Sequence, residues 1–187
     1  MRKGVLAYVV GVAIGDGNLS NPNGRAVRLR VTCDIKYPGL IVEMREAIRQ
    51  VMPYNKVSLI KVKDCAINIS CYSNKWEDLL GWKAFGGSKY EQDVTIPDWI
   101  KKNKRYSLLC LRGLLQTDGG VYTDRGYKAV MFVTIIPRLA NDVMDIIISM
   151  GFKPNLYDIP TRTKRRYNVR LSRDVDRFIE FVGLHKS

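Results

Sequence analysis

Two aspartates occupy matching places in the chain, each closing a largely apolar run and each followed by glycine. Asp16 lies in GVAIGDGNLS and Asp118 lies in GLLQTDGGVY, 102 residues further on. If folding brings the two carboxylates together, they repel each other unless cations lie between them. Oxygen ligands without nearby histidine or cysteine favour a hard ion such as Mg²⁺. Two such ions about 4 Å apart can hydrolyse a phosphodiester, one activating water and the other stabilising the leaving oxygen.

This chemistry requires the two apolar runs to be helices that pack side by side. Small residues along one stripe of each helix allow such a close approach. The stripes consist of Tyr8, Gly11, Val12 and Gly15 in the first run and Cys110, Gly113, Leu114 and Thr117 in the second. Asp-Gly after an apolar run is also a common signal for the end of a helix. One copy would indicate no more than that, whereas two copies in equivalent places favour the metal site.

Further features repeat at the same offset, so each half of the chain is predicted to be one unit. RVTC at 30–33 corresponds to FVTI at 132–135, and Ile67 and Ile69 correspond to Val169 and Leu171. Apolar periodicity and turn residues predict the order αββαββα in both halves. We therefore predict an α+β fold of two pseudo-symmetric repeats, residues 1–83 and 104–187. The linker, residues 84–103, contains GGSK and IPDW, which indicate loop and turn.

The predicted elements have these approximate bounds. Helices cover 4–14, 38–52 and a short segment after Ser73 in the first half, and 104–116, 137–150 and 173–183 in the second. Strands cover 18–21, 25–33, 56–63 and 66–72, then 121–123, 127–135, 152–157 and 166–171.

Composition narrows the class of partner. The 187 residues are 46% hydrophobic, enough for a buried core, and 31 Lys and Arg against 18 Asp and Glu give a net charge of +13. That excess favours a polyanion, with nucleic acid as the leading candidate, although an ordinary basic protein stays possible. No apolar run is long enough to span a membrane and no signal-peptide pattern is present, so we expect a cytoplasmic, nucleoid-associated or organellar protein without a membrane partner. Four dispersed cysteines and a single histidine, His185, make a zinc site or disulfide framework an unfavourable interpretation.

The predicted strands separate cationic from apolar positions. Leu29 and Val31 alternate with Arg28 and Arg30, the period expected when one sheet face packs on helices and the other is wet. The candidate nucleic-acid-binding residues are Arg28, Arg30, Thr32, Lys61, Lys63, Asn68, Lys128, Thr134, Arg166, Asn168 and Arg170. Arginine pairs bidentately with guanine, which makes the four arginines candidates for base reading as well as phosphate contact. A solvated sheet face is the alternative, but it predicts charges of both signs.

The segments VVGVAIGDG at 9–17 and LRGLLQTDG at 111–119 resemble the two signature motifs of single-chain LAGLIDADG homing endonucleases, particularly archaeal intron-encoded members. The resemblance covers essentially the whole chain. It implies a monomer with an internal pseudo-twofold, in which a saddle of antiparallel sheets lies in the major groove of double-stranded DNA. It also implies a metal-dependent double-strand break in a long target site, leaving short 3′ overhangs, with Mg²⁺ or Mn²⁺ as cofactor.

The resemblance also assigns roles to individual residues. Asp16 and Asp118 match the acidic metal ligands, and the carbonyls of Gly15 and Thr117 match the backbone ligands. Lys89, in GGSKYE, stands where members place a basic residue that steadies the scissile phosphate or a water, although an ordinary linker lysine is the competing interpretation. Lys186 is the weak counterpart in the second half.

Two departures and two alternatives remain. Cys33 and Ile135 occupy places where many members carry a polar residue near the catalytic water, and Gln116 in the second motif has no role that the sequence reveals. An RNA maturase of the same fold, which binds intron RNA, is the nearest alternative function. A noncatalytic DNA-binding protein of the same fold is the other. Retention of both aspartates favours the endonuclease.

Overall fold

The computed structural model describes residues 3–62, 65–124 and 126–185. The first repeat consists of α1 (Lys3–Gly15), β1 (Gly17–Ser20), β2 (Arg28–Asp34), α2 (Pro38–Val51), β3 (Val57–Lys61), β4 (Ala66–Tyr72) and α3 (Trp76–Leu80). After a short α4 (Asp98–Lys101), the second repeat consists of α5 (Lys104–Thr117), β5 (Gly119–Asp124), β6 (Tyr127–Thr134), α6 (Pro137–Ser149), β7 (Asn155–Pro160), β8 (Arg165–Leu171) and α7 (Val175–Val182). The predicted αββαββα order is confirmed in both repeats.

Each repeat forms its own antiparallel sheet of four strands. The strand orders are β1-β2-β4-β3 and β5-β6-β8-β7, so the two sheets have the same topology. In the first sheet Val31 pairs with Gly17 on one side and Ile69 on the other. In the second sheet Phe132 takes the same position between Gly119 and Val169. The α+β class with two equivalent repeats is therefore confirmed.

These pairings correct the correspondence inferred from sequence. Val31 is equivalent to Phe132, and Ile69 is equivalent to Val169, whereas the sequence match aligned Phe132 with Arg30 and Val169 with Ile67. The connections between paired strands differ in length in the two halves, and loops absorb such differences at little cost. A constant offset of 102 therefore holds at the aspartates but not in the later strands.

The two helices that carry the signature motifs, α1 and α5, form the centre of the molecule, and we call them the signature helices. Residues 6–14 of α1 are all buried, as expected for a helix that is apolar on every side. Its partner is α5, and glycines set the distance between them: a Cβ on Gly11 would lie 2.9 Å from the carbonyl carbon of Cys110, and one on Gly113 would lie 2.5 Å from the carbonyl oxygen of Tyr8. Backbones this close require glycine, because any side chain would force the helices apart.

The linker departs from prediction at its end. Asp98–Lys101 forms the helical turn α4, where the sequence indicated only loop and turn. Pro97 precedes it with an extended backbone, and Asp98 supplies an acidic first turn, both of which favour helix initiation. Ile96 and Ile100 are buried, so this turn is fixed by the core. Within the described ranges, the helices are all too short or too polar to cross a membrane.

Candidate metal centre and nucleic-acid interface

The crossing of α1 and α5 brings the two aspartate-containing turns together. Gly15 ends α1, and Asp118 follows the last residue of α5, Thr117. A Cβ on Gly15 would lie 2.7 Å from the Cβ of Thr117 and 3.5 Å from Oδ2 of Asp118. Both Asp16 and Asp118 are exposed although the helices that carry them are buried. The backbone at the end of one repeat's helix therefore lies next to the carboxylate of the other repeat.

Lys89 from the linker caps the end of α1. Its ammonium donates hydrogen bonds to the carbonyl oxygens of Ile14 at 2.6 Å and Ala13 at 3.3 Å, and to that of Gly15. The last carbonyls of a helix have no partner within the helix and carry the negative end of its dipole, so they attract a cation. The position that the sequence marked by resemblance alone is thus occupied by a cation in contact with the carbonyl before Asp16.

The electrostatics of Lys89 connect it to both aspartates. Burial lowers the pKa of Lys89 below its ordinary value, while the charges of Asp118 and then Asp16 raise it. Desolvation penalises the ammonium and opposite charges favour it, so the two effects act in opposite directions. The charges of two carboxylates that lie 102 residues apart in the chain therefore act on the same ammonium.

The linker holds Lys89 through contacts with the second repeat. The amide of Val94 donates to the carbonyl of Lys89 at 3.0 Å, and the neighbouring Asp93 forms an ion pair with Arg138 at 2.7 Å. Asp142 of α6 accepts a hydrogen bond from the amide of Ile96 at 2.9 Å. A side chain that caps the first repeat's helix is thus fixed by a segment fastened to the second.

A cavity of about 410 Å³ opens beside Asp118. Its polar wall includes Gly15, Lys89 and Asp118, together with Thr134 from the end of β6. Lys164 and Arg166, from the connection between β7 and β8 and from β8 itself, close another side. Ile135 also lines the cavity and makes part of its wall apolar.

Cys33 lies near the other aspartate and, by the strand pairings, is equivalent to Thr134 rather than to Ile135. Burial, and secondarily the charge of Asp16, raise the pKa of Cys33 to about 12. Its Sγ lies 3.6 Å from Sδ of Met44. The thiol is therefore protonated at neutral pH and packs as an apolar group.

Gln116 has a structural role that the sequence did not reveal. Its Oε1 accepts a hydrogen bond from the hydroxyl of Tyr8 at 2.7 Å, and its Nε2 donates to Glu43 at 3.1 Å. Arg112 also donates to Glu43. Burial, and then the charge of Glu43, raise the pKa of Tyr8 well above its ordinary value. This partly buried network joins α1, α2 and α5 two residues before Asp118. Its one signal in the sequence was a polar residue inside an apolar helix.

Each sheet has a buried face, which packs on the helices, and an opposite face that we call the open face. In the first sheet Arg30 stands on the open face between Asn18 and Ser70, and Arg28 stands between Ser20 and Tyr72. Thr32 and Asn68 pair on the same face and share a hydrogen bond of 2.8 Å. Within the described part of the chain, Nε of Arg30 and Oγ of Ser70 are enclosed and have no hydrogen-bond partner.

The open face of the second sheet is similar. Arg170 pairs with Met131 and Asn155, and Asn168 pairs with Val133 and Tyr157. Arg166 is next on that face, opposite Ile159, and it also lines the cavity beside Asp118. The second open face therefore continues into the aspartate site.

Three candidate residues lie elsewhere. Lys61 pairs with Ile67, and Lys128 lies on the same side of β6 as Phe132, so both lysines belong to the helix-packed faces. Lys128 also forms an ion pair with Asp176 of α7 at 2.8 Å. Thr134 is also on that side, where its hydroxyl accepts a hydrogen bond from the amide of Ile136 at 3.2 Å. The strand period of two separates these residues from the open face. Lys63 and Lys186 lie outside the described residues.

The donor set fits a hard divalent cation. Asp16, Asp118 and the adjoining carbonyls of Gly15 and Thr117 offer only oxygen, the preference of Mg²⁺ and Mn²⁺. Among the described residues, no group of three or more His, Cys, Asp or Glu side chains converges on one point. Any ion held by the two carboxylates must therefore complete its coordination with backbone oxygens and water. The hydrogen bonds of the Lys89 ammonium show that these carbonyls attract a cation.

Comparison with known proteins identifies the fold. Residues 105–183 match the family model of the LAGLIDADG-like domain. The whole chain superposes on mesophilic variants of the homing endonuclease I-DmoI with a TM-score of 0.69 at 18% identity, covering 99% of this chain and 98% of that one. For I-DmoI in complex with DNA and Mn the values are 0.67 and 20%, with 96% of each chain covered. The N-terminal LAGLIDADG domain of DUF199/WhiA gives 0.65 and 14%, covering 100% of this chain and 86% of that one.

A curated sequence relative covers the chain as part of a longer protein. The tRNA-splicing ligase RtcB of Methanopyrus kandleri is 22% identical over an alignment 212 residues long, which covers 97% of this chain but only 21% of the relative. The chain thus spans about a fifth of that protein. The two sheets are equivalent, glycines pack the two signature helices together, and residues 105–183 match a LAGLIDADG-like domain. This chain is therefore a two-repeat protein of the LAGLIDADG fold, the fold of the single-chain homing endonuclease I-DmoI.

Proposed function

We propose that the protein is a site-specific DNA endonuclease that makes a metal-dependent double-strand break with short 3′ overhangs in a long target site. The observation that supports this most strongly is the position of Lys89, whose ammonium contacts the carbonyl of Gly15 and is acted on by both Asp16 and Asp118. Two acidic turns that converge on one cation, beside a basic open face, suit phosphodiester chemistry. I-DmoI, whose fold this chain shares, has been crystallised with DNA and Mn and with DNA and Ca.

In this proposal the open faces bind DNA and the helix ends cut it. Arg28, Arg30, Arg166 and Arg170 contact phosphates or guanine edges in the major groove, while Thr32, Asn68 and Asn168 add neutral hydrogen bonds. Long cationic side chains on adjacent strands follow the backbone of a duplex. Both sheets then place the two strands of the DNA over the aspartates between them.

Metal would be held by residues from both repeats. The carboxylates of Asp16 and Asp118 and the carbonyls of Gly15 and Thr117 are the proposed ligands, with Mg²⁺ or Mn²⁺ as the ion. A bound divalent ion supplies charge stabilisation at the phosphate and lowers the pKa of a coordinated water. Lys89 contributes a fixed positive charge at the same place, where it stabilises the negative charge that develops on the phosphate.

Replacement of either aspartate tests the proposal. Asp16→Asn and Asp118→Asn should each abolish the double-strand cut in a plasmid library of randomised target sites while leaving DNA affinity in place, because the open faces are unchanged. Asp145→Asn, which alters an exposed carboxylate on α6, is the matched control and should cut normally. Cutting should also stop when EDTA removes the metal. Full cleavage by Asp16→Asn or Asp118→Asn would exclude these carboxylates from the site.

A noncatalytic DNA-binding protein is the second candidate, since the N-terminal LAGLIDADG domain of DUF199/WhiA shares the fold over the full chain. It predicts sequence-specific binding by the wild-type protein without any cut in Mg²⁺ or Mn²⁺. The plasmid assay, run beside a binding assay on the same library, separates the two candidates directly.

A further inference from the structure

We propose that Lys164 binds the phosphate that is attacked beside Asp118, and that this clamp serves one DNA strand only. The inference rests on the proposed endonuclease function and adds a substrate-binding residue to it. Lys164 lies in the connection between β7 and β8, far in sequence from either signature motif. It nevertheless lines the same cavity as Gly15, Lys89 and Asp118.

The side chain of Lys164 is held in place by the linker. Its Nζ lies 4.0 Å from the centre of the Tyr90 ring, the distance of a cation–π contact. Hydrogen bonds from Ser88 hold the pKa of Glu91 below its ordinary value, and the charge of Lys164 adds to that effect. Tyr90 is adjacent to Lys89, so one linker segment places two ammonium groups at one cavity. A long, flexible lysine fixed at the wall of a cavity loses little further entropy when it binds a ligand.

The charges around the cavity suit a phosphate. Three cations, Lys89, Lys164 and Arg166, surround the single carboxylate of Asp118. The lining of the pocket therefore has more positive than negative charge, and a bound divalent ion would increase this excess, so the pocket favours an anion. Cationic side chains from separate elements that converge on one point recognise a phosphate, whereas base edges require flat, bidentate donors.

The first repeat differs from the second at the position of Arg166. Val169 is equivalent to Ile69, so Arg166 corresponds to Ala66. An alanine side chain cannot bind a phosphate, so the cationic wall that Arg166 gives the cavity is not repeated at this position. The two strands of a bound duplex would therefore be held unequally, with the additional clamp on the strand that lies at Asp118.

Strand-resolved cleavage tests the clamp. Lys164→Met should slow the cut of one strand by about tenfold and leave the other strand unchanged, because one charge-assisted contact is lost. Nicked circles should then accumulate from a supercoiled plasmid that carries the selected target. Lys164→Arg keeps the charge and should recover most of the rate. The hydrogen bonds between Thr161 and Lys164 use the backbone atoms of Lys164, so neither substitution removes them.

Arg162→Ala is the matched control, because Arg162 is an exposed cation of the same turn that does not line the cavity. It should cut both strands at the wild-type rate. Equal slowing of both strands by Lys164→Met, or no slowing at all, would overturn the clamp.

If the wild-type protein binds its target without cutting, the endonuclease proposal fails and the clamp is decided by phosphate ethylation. Ethylating single phosphates should weaken wild-type binding at one phosphate where Lys164→Met is insensitive. An identical interference pattern for both proteins would overturn the clamp. Absence of any DNA binding by the wild-type protein would overturn both proposals together.

Discussion

Lys89 donates a hydrogen bond to the backbone carbonyl of Gly15, so a linker residue is bound to the end of the first signature helix. The negative charges of Asp118 and Asp16 raise the pKa of the same ammonium, and the effect of Asp118 is the larger. Helix ends that converge usually repel one another, because their carbonyls and carboxylates are all negative. In this protein a cation from the chain itself reduces that repulsion before any metal binds.

This relationship predicts the effect of Lys89 on metal binding. In the proposed site a divalent ion would share the carbonyl of Gly15 with the ammonium, so Lys89→Met should raise the affinity for Mn²⁺ by about fivefold, equivalent to about 1 kcal/mol of removed charge repulsion. Cleavage should fall at the same time because a stabilising charge is lost. Calorimetric titration with Mn²⁺ in the absence of DNA measures the affinity.

Lys102→Met provides the control for the Lys89 prediction, since it removes an exposed lysine beyond α4 and alters the net charge equally. Its Mn²⁺ affinity should match the wild type. A Lys89→Met protein that binds Mn²⁺ no better than wild type would show that the ammonium and the ion do not compete.

The two faces of the sheets predict opposite results for two similar charge deletions. Arg30→Ala removes an open-face cation and should weaken target binding by about 1–3 kcal/mol. Lys128→Ala removes a cation paired with Asp176 on the helix-packed side and should change target binding by less than about 0.5 kcal/mol. Fluorescence anisotropy titrations at several salt concentrations measure both, and the log–log salt slope should fall by about one unit only if Arg30 contacts a phosphate. Equal losses for the two variants would contradict the assignment of faces.

The duplicated motif and the strand period made the fold predictable from sequence. Asp16 and Asp118 marked the ends of equivalent helices, and alternation of Leu29 and Val31 with Arg30 gave the correct faces of β2. Both are local patterns with a fixed period, so they can be recognised without knowledge of the tertiary structure. The faces of Lys61 and Lys128 were wrong because a shift of one residue in strand register reverses a side chain.

The cavity beside Asp118 could not be derived in this way. Lys164 reaches it because the turn between β7 and β8 folds back over Tyr90, a contact between residues 74 positions apart that no local pattern encodes. The role of Gln116 depends equally on partners from other elements, Tyr8 and Glu43. The sequence identified Gln116 as an unusual polar residue, and only the packing of elements gave Gln116 and Lys164 their partners.

The close crossing of the signature helices predicts a stability cost for any side chain at Gly113. A Cβ there would lie 2.5 Å from the carbonyl oxygen of Tyr8 and 2.8 Å from the amide nitrogen of Val12, both of which are backbone atoms. Since the helices must separate to admit it, Gly113→Ala should lower the free energy of unfolding by about 1–3 kcal/mol. Chemical denaturation followed by circular dichroism measures this. Asn141→Ala, on the exposed side of α6, should leave stability unchanged or raise it slightly; an equal loss in both variants would contradict the tight crossing.

The four cysteines offer a test of the packing that needs no DNA. Burial raises the pKa of Cys71 to about 11, and burial together with Asp16 raises that of Cys33 to about 12. Burial raises the pKa of Cys110 further still. Higher thiol pKa values mean less reactive thiolate at a given pH, and these three side chains are also enclosed, whereas Cys65 is exposed. Iodoacetamide at about pH 8 should therefore alkylate the native protein once, at Cys65, as read by peptide mass spectrometry. All four cysteines should react after unfolding in guanidinium. Rapid alkylation of native Cys110 would mean that α5 is not packed against α1, and the placement of Asp118 beside Gly15 would then lose its basis.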